Sequence, residues 1–212
     1  MKEILALSGF LCLLAPAFAR GAPAAEQWTN VYTNVRATFQ NAYDIQDGAL
    51  RILLYVNTYG NGLSFSGQPF SGSMNAYGNG WSLYAGGASA SVSIWGANTG
   101  IEAHIPGRNG SPARFLRLTM YAQGPANDPN FPPSYSINDA DCSLQITPAG
   151  ASGYTISGRV NTTRVGPEGV AIVGLTISAI MQSRKSSAHG LPESDAIEER
   201  MRSDPQIAVP AG

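Results

Sequence analysis

Apolar and polar residues alternate strictly through most of the chain, and this period of two constrains the fold more than any other feature. From Ala88 to Ile94 every second residue is apolar, and the residues between them are serines. The segments 116–122, 142–147 and 154–161 follow the same alternation. A period of two places one set of side chains in a core and the other on the wet face of a sheet. The body of the chain is therefore predicted to be all-β.

An aromatic residue followed by glycine recurs along the body at a constant interval. Tyr59 and Tyr77 each begin the sequence Tyr-Gly-Asn-Gly, and Trp95-Gly96 follows at the same spacing. Asn-Gly favours tight hairpin turns, because both residues tolerate positive φ. The repeat indicates an antiparallel β-meander with these turns at one end. It predicts about 8–10 strands, forming either a two-sheet, jelly-roll-like sandwich or a closed barrel.

The end of the chain differs from the body. The stretch from Val170 to Met181 is apolar on both faces and is predicted to be a central, fully covered strand. Charged residues become dense after Gln182, so residues 183–212 are predicted to be a polar, charged tail. Within that tail, residues 192–201 suit a short helix, because a proline and acidic residues fit its first turn. A disordered, solvated tail is the competing interpretation. The single all-β domain is accordingly predicted to span residues 20–182.

The first residues are typical of an export signal. A lysine is followed by an apolar run and then by Ala17-Phe18-Ala19, which predicts a signal peptide of residues 1–19. The apolar run is too short to span a bilayer, and no transmembrane helix is predicted elsewhere. We expect a secreted, periplasmic or cell-surface protein. Cleavage would leave Cys142 as the single cysteine, expected to be a buried small hydrophobe.

The charge composition excludes several classes of function. The net charge is −1, and charged residues make up 13% of the chain against roughly 25% in average proteins. Nucleic-acid binding is not expected, since it needs a basic excess. A neutral surface of serine, threonine, asparagine and glycine lacks the repulsion that keeps proteins apart. It favours self-assembly or adhesion to a matrix.

Few residues suggest catalysis or metal binding. Glu102 and His104 share one face of a predicted strand, where a carboxylate beside a histidine can tune a general base. Asp128, Asp139 and Asp141 flank a proline-rich loop and are weak candidates for Ca²⁺ ligands. No dense acidic run supports them, and no cofactor is expected. An exposed ion pair on the strand and local turn contacts of the acids are the competing interpretations.

Aromatic residues near the repeated turns suggest a binding surface. Tyr59, Tyr77, Trp81 and Trp95 are predicted to form a platform at one end of the fold. Aromatic faces surrounded by asparagine and serine suit sugar rings, which are apolar on one side and hydroxylated at the edge. The competing interpretation is that these rings fix the turns to the core.

Three functions remain open from the sequence. The favoured one is a secreted, non-catalytic β-sandwich protein that binds glycans or a cell surface, or serves as an extracellular structural or adhesive component. The second is a secreted polysaccharide- or ester-cleaving enzyme that uses Glu102 and His104. The third is a small outer-membrane β-barrel whose exposed aromatic residues form a girdle.

Overall fold

The computed structural model describes residues 26–38, 41–57, 62–108, 110–124 and 132–189. These residues form one closed antiparallel barrel of twelve strands, followed by the helix α1 (Gly166–His189). The strands are β1 (Trp28–Thr38), β2 (Ala42–Asp47), β3 (Leu50–Val56), β4 (Gly62–Gln68), β5 (Gly72–Tyr77), β6 (Gly80–Ala85), β7 (Ala88–Trp95), β8 (Asn98–Ile105), β9 (Arg114–Gln123), β10 (Ser134–Asp139), β11 (Cys142–Pro148) and β12 (Gly153–Asn161).

Each strand pairs with its neighbours in sequence, and β1 closes the barrel by pairing with β12. Trp28 lies opposite Asn161, and Arg36 lies opposite Gly153. The predicted antiparallel meander is confirmed, and of the two predicted arrangements the structure is the closed barrel. The strand count exceeds the predicted 8–10, because β5, β6 and β10 each have only six residues.

The connections lie alternately at two ends of the barrel. The lower end carries the β2–β3, β4–β5, β6–β7, β8–β9 and β10–β11 turns and the connection from β12 to α1. The upper end carries the turns that follow Tyr77 and Trp95, which join β5 to β6 and β7 to β8. These two aromatic-glycine turns therefore share one end, as predicted. Tyr59 lies outside the described residues.

Helix α1 corrects the prediction of a central strand from Val170 to Met181. The helix begins at the lower end with Gly166 and runs through the barrel, and every residue from Val170 to Ile180 is buried. A helix surrounded by a barrel wall has no side in water. It therefore lacks the polar stripe by which a surface helix is identified. Its sequence resembles a strand covered on both faces for the same reason.

The barrel interior is a filled apolar core. The helix lies closest to β1, β2, β3 and β12, where Gly174 leaves room for the side chain of Ile45. On the opposite wall, the inward side chains include Met74, Trp81 and Met120, all of them buried. Burial of one such side chain stabilises a fold by about 1.5–3 kcal/mol. The interior is thus occupied by side chains from the wall and from the helix.

Polar contacts fix the helix at its lower end. The backbone N–H groups of Arg164 and Val165 donate to the carbonyl of Asn161, which ends β12. Arg114 of β9 forms a half-buried ion pair with Glu168, in which Nη2 lies 2.5 Å from Oε2. The same guanidinium donates through Nη1 to the carbonyl of Val165 at 3.2 Å. The start of α1 is therefore attached to two parts of the wall.

The upper part of the helix also contacts the wall. Tyr43 donates from its hydroxyl to Oε1 of Gln182 at 2.8 Å, and Nζ of Lys185 lies 5.3 Å from the centre of the Tyr43 ring. The predicted domain boundary at Gln182 thus falls inside α1. The predicted signal peptide and the helix predicted over 192–201 lie outside the described residues.

Candidate functional site

The outward-facing side chains of β4, β5, β6 and β7 form a continuous surface without a charge, which we name the uncharged face. From Ile52 to Ile101 the sequence contains no aspartate, glutamate, lysine, arginine or histidine. The face consists mainly of short hydroxyl and amide side chains with three aromatic rings. Its residues are Ser64, Ser66, Ser73, Asn75, Tyr77, Ser82, Tyr84, Ser89, Ser91, Ser93 and Trp95.

Strand register places these side chains in rows across the strands. Asn75, Ser82 and Ser91 lie opposite one another on β5, β6 and β7, and we name this row the middle row. Ser64, Ser73, Tyr84 and Ser89 form a second row nearer the lower end. The intervening residues, such as Leu83, point inward and are buried. The sequence alternation therefore sets both the core and the composition of this face.

Three aromatic rings stand out from the uncharged face. Tyr77 is 80% exposed, Tyr84 60% and Trp95 63%. Tyr77 and Trp95 lie near the upper end, two strands apart, which corresponds to about 10 Å across the sheet. Tyr84 lies on the other side of the middle row. Two of the aromatic residues predicted to bind a ligand thus share the outer surface of one end.

Trp81 does not belong to this surface, and its prediction as a ligand-binding residue is wrong. Its side chain points into the barrel and is 5% exposed. It lies opposite Val92, an inward residue of β7. Trp81 shares its strand face with Leu83 and Ala85, so its place in the alternation already marked it as a core residue. By the same rule Trp95, which follows the inward Ile94, faces outward.

Glu102 and His104 share the outer face of β8, as their spacing predicts. Glu102 is paired with Arg117 of β9, whose Nη2 lies 2.6 Å from Oε1. His104 lies between Ser89 and Phe115 on the neighbouring strands. Both partners of the ion pair are solvent-exposed. A carboxylate held by an arginine on an open, convex wall is a poor general base, because it is already neutralised and nothing excludes water.

The aspartates predicted as weak Ca²⁺ ligands also have partners within the protein. Asp139 and Asp141 lie at the lower end, where Oδ1 of Asp139 accepts from the N–H of Asp141 at 3.2 Å. Asp141 also lies 3.8 Å from Nε of Arg164. Asp128 lies outside the described residues. Across the part of the chain that the structure describes, no three His, Cys, Asp or Glu side chains are grouped so as to hold a metal ion.

Three buried tyrosines surround the upper part of α1. Burial raises the pKa of Tyr43 to about 12. Burial, with a smaller contribution from the neighbouring Tyr154, also raises the pKa of Tyr135 to about 12. The pKa of Tyr154 is raised by burial as well, and Arg184 opposes that shift through its charge and a hydrogen bond. These hydroxyls remain neutral at physiological pH, and that of Tyr43 links the wall to the helix through Gln182.

Cys142 is fully buried at the start of β11, as the sequence predicts. Burial raises the pKa of its thiol to about 12, and the nearby Asp139 and Asp141 act in the same direction. A buried, protonated thiol is a poor nucleophile. Cys142 is therefore part of the core.

Two cavities open at the lower end, away from the uncharged face. One of about 280 Å³ lies between β1, the β2–β3 turn and the start of α1, with Asp47 among its lining residues. The other, of about 510 Å³, contains the Arg114–Glu168 pair. Oδ2 of Asp47 accepts from Oγ1 of Thr33 at 3.1 Å, so this carboxylate already has a partner in the wall. None of the residues predicted to form a site lines either cavity.

Comparison of the chain with protein-family models, with curated proteins and with solved structures gives no significant match. No helix among the described residues has the length and apolar character needed to cross a membrane. The candidate site therefore rests on the geometry of the barrel wall. Sequence reasoning missed Tyr84 and the serine rows, and the signal that reveals them is the absence of charge between Ile52 and Ile101.

Proposed function

We propose that the protein is an exported, non-catalytic binding module that attaches to glycans through the uncharged face. One observation carries the proposal. Four consecutive strands present no charged side chain to the outside, yet they expose the rings of Tyr77, Tyr84 and Trp95. Soluble proteins commonly cover such surfaces with charged residues, which maintain solubility through repulsion. A face without charged residues across four strands is suited to contact with a ligand.

The chemistry of the face suits sugars. Serine hydroxyls both donate and accept hydrogen bonds, and Asn75 adds an amide that does the same. The exposed rings of Tyr77, Tyr84 and Trp95 offer apolar surfaces for the C–H faces of pyranose rings. These groups are short or rigid, so little side-chain entropy is lost when a ligand orders them.

Export to the outside of the cell is the second part of the proposal, and the N-terminal sequence supports it. The apolar run and Ala17-Phe18-Ala19 have the composition of a secretory signal. A protein that binds glycans at a surface would act in that compartment. Export followed by cleavage would leave the first strand of the barrel, β1, close in sequence to the mature N-terminus.

The two alternative functions have less support. An enzyme using Glu102 and His104 would need a free carboxylate in an enclosed site, whereas Glu102 is paired with Arg117 on an open wall. An outer-membrane barrel alternates apolar side chains outward with polar ones inward. Here the alternation runs the other way, with Met74 and Leu83 inside and Ser73 and Ser82 outside.

Glycan-array binding of the mature protein tests the proposal. We expect binding that falls at least tenfold in Trp95→Ala and in Tyr84→Ala. Tyr32→Ala is the matched control, because Tyr32 is as exposed as Tyr84 but lies on β1, across the barrel. The proposal is refuted if no glycan binds, or if the control variant loses as much binding as the other two.

A further inference from the structure

We infer that the ligand of the uncharged face is a neutral polysaccharide in an extended conformation, lying across the strands with about one sugar ring per strand. The inference rests on the proposed function and specifies its substrate class. It follows from two independent properties of the face, namely its charge and the spacing of its rows.

The absence of charge on the face disfavours acidic polysaccharides as ligands. A bound uronate or sulfate that loses water needs a cation or several aligned donors in compensation. Three charged groups at the borders of the face already have partners. On β8 and β9, Glu102 and Arg117 neutralise each other. At the lower edge, Arg108 donates from Nη2 to the carbonyl of Gly86 at 2.9 Å. A neutral polysaccharide binds without the free-energy cost of removing water from an acidic group.

The spacing of the strands indicates the direction in which the sugar chain lies. Neighbouring strands lie about 4.7–4.9 Å apart, which is close to the length of one pyranose residue in an extended, equatorially linked glycan. A chain along the middle row therefore places successive sugars over Asn75, Ser82 and Ser91, so that each ring meets one polar side chain. In a coiled glycan, successive sugars do not advance along a straight line and so do not match the spacing of the strands.

The aromatic residues border this path on both sides. Tyr77 and Trp95 lie toward the upper end, and Tyr84 lies toward the lower end, two residues from Ser82 on β6. A sugar chain on the middle row would run between them. Because the barrel wall curves away, contact is limited to about three rings, one for each strand of the middle row. The expected affinity is accordingly modest and depends on repeated contacts along a long polymer.

The test compares two derivatives of one backbone. Hydroxyethyl cellulose and carboxymethyl cellulose share an extended β-linked chain, but the first is neutral and the second anionic. Affinity electrophoresis of the mature protein should show retardation by the neutral polymer that is insensitive to salt, and at least tenfold weaker retardation by the anionic one. Soluble amylose, a neutral but coiled glucan, should also retard the protein at least tenfold less.

Variants of one row residue locate the path. Ser91→Lys should reduce retardation by hydroxyethyl cellulose at least fivefold, since it places a hydrated charge in the middle row. Ser91→Asn, which stays neutral, should retain most binding and shows that the site tolerates substitution. Ser143→Lys on β11 is the matched control, as Ser143 is also an exposed, outward serine. Unchanged circular dichroism melting of each variant separates a binding defect from a folding defect.

The possible failures are distinguishable. Equal or stronger retardation by carboxymethyl cellulose or by amylose would overturn the inference while leaving glycan binding intact. Loss of binding in Ser143→Lys equal to that in Ser91→Lys would remove the middle row as the path. Absence of binding to every glycan would refute the proposed function itself. Concentration-dependent dimerisation that Ser91→Lys abolishes, without polysaccharide binding, would assign the face to a second copy of the chain and also overturn the inference.

Discussion

The indole ring of Trp95 on β7 covers the backbone of Gly100 on the neighbouring strand β8. A Cβ atom built on Gly100 would lie 2.7 Å from Cη2 and 2.8 Å from Cζ3 of the ring. Glycine weakens a strand interior because it has no side chain to contact its neighbours. An aromatic ring placed over it from the adjacent strand restores part of that contact. Trp95 therefore has a structural role besides the proposed contact with sugar.

The first prediction concerns this pair. Trp95→Ala should lower the free energy of unfolding by about 0.5–1 kcal/mol, the upper part of the range of cross-strand pairs, as measured by urea denaturation. Tyr77→Ala removes a more exposed ring and should change it by less than about 0.5 kcal/mol. In a Gly100→Ala background the cost of Trp95→Ala should shrink, because the new methyl group already displaces the ring. Strict additivity of the two substitutions would show that the ring does not stabilise β8.

The second prediction concerns the contact between α1 and the wall. A Cβ atom on Gly174 would lie 3.0 Å from Cδ1 of Ile45 and 3.1 Å from its Cγ2. Gly174→Leu should therefore destabilise the protein by about 1–3 kcal/mol through overpacking. Gly174→Ala should be nearly neutral, because a helix propensity gain of about 1 kcal/mol offsets the crowding.

A double-mutant cycle with Ile45→Val checks this interpretation. Alone, Ile45→Val should cost about 0.5–1.5 kcal/mol by leaving a small void. Combined with Gly174→Ala it should cost less, since the added methyl group takes the space of the lost one. Thermal unfolding of the four proteins measures the coupling. No coupling would place Gly174 away from Ile45 in solution.

The third prediction is a loss of stability at alkaline pH. The pKa values of Tyr43 and Tyr135 rise from 10.0 to about 12 on folding, and that of Cys142 rises from 9.0 to about 12. Above pH 9 the unfolded chain releases protons that the folded chain keeps. The free energy of unfolding therefore falls as pH rises from 9 to 12 and is fully retained below 9. Urea denaturation at successive pH values measures the slope.

Conservative variants identify the source of that slope. Tyr135→Phe should be less sensitive to pH between 10 and 12, and Cys142→Ala should be less sensitive between 9 and 12. Ser143→Ala on the outer face of β11 changes no titratable group, serves as the control and should leave the slope unchanged. A slope that is identical in all four proteins would exclude the buried groups as its origin.

The fourth prediction concerns the reactivity of Cys142. Since the thiol is fully buried and its pKa is raised, alkylation by iodoacetamide at pH 8 should be slow in the folded protein. The rate should rise steeply with urea near the unfolding midpoint, and mass spectrometry can follow it. A moderately exposed position, Ser143→Cys in a Cys142→Ala background, should react rapidly without urea. Fast labelling of the native protein would contradict the burial of β11.

Strand β7 could be predicted from the sequence, whereas helix α1 could not. In Ala88–Ile94 apolar residues alternate strictly with serines, so the sequence predicts the strand and which side chains face inward and outward. The same rule predicts that Glu102 and His104 share one face of their strand. Val170–Met181 was assigned wrongly because its valines and isoleucines favour strands and none of its sides faces water. Its length was the available signal, since a mostly apolar stretch of twelve residues exceeds a typical strand. Pro167 and Glu168 also suit the first turn of a helix.

The candidate site was predicted only in part. Tyr77 and Trp95 follow from the turn repeat, whereas the alternation of the strand places Trp81 in the core. Barrel closure could not be derived locally, because it depends on β1 meeting β12 after the whole meander has formed. The rows across β5, β6 and β7 depend on register, which alternation alone leaves open by two residues at a time.

The threading of α1 through the barrel has a consequence for the order of folding. The wall and the helix that fills it are encoded in sequence order, so β12 and then α1 leave the ribosome after the other eleven strands. Until then the inner surfaces of eleven strands have neither their closing partner nor their core, and contacts as distant as Trp28 with Asn161 make such folding slow. A chain truncated before Gly166 would retain every strand of the barrel and still have nothing to fill its centre. Such a chain should aggregate through its exposed inner wall.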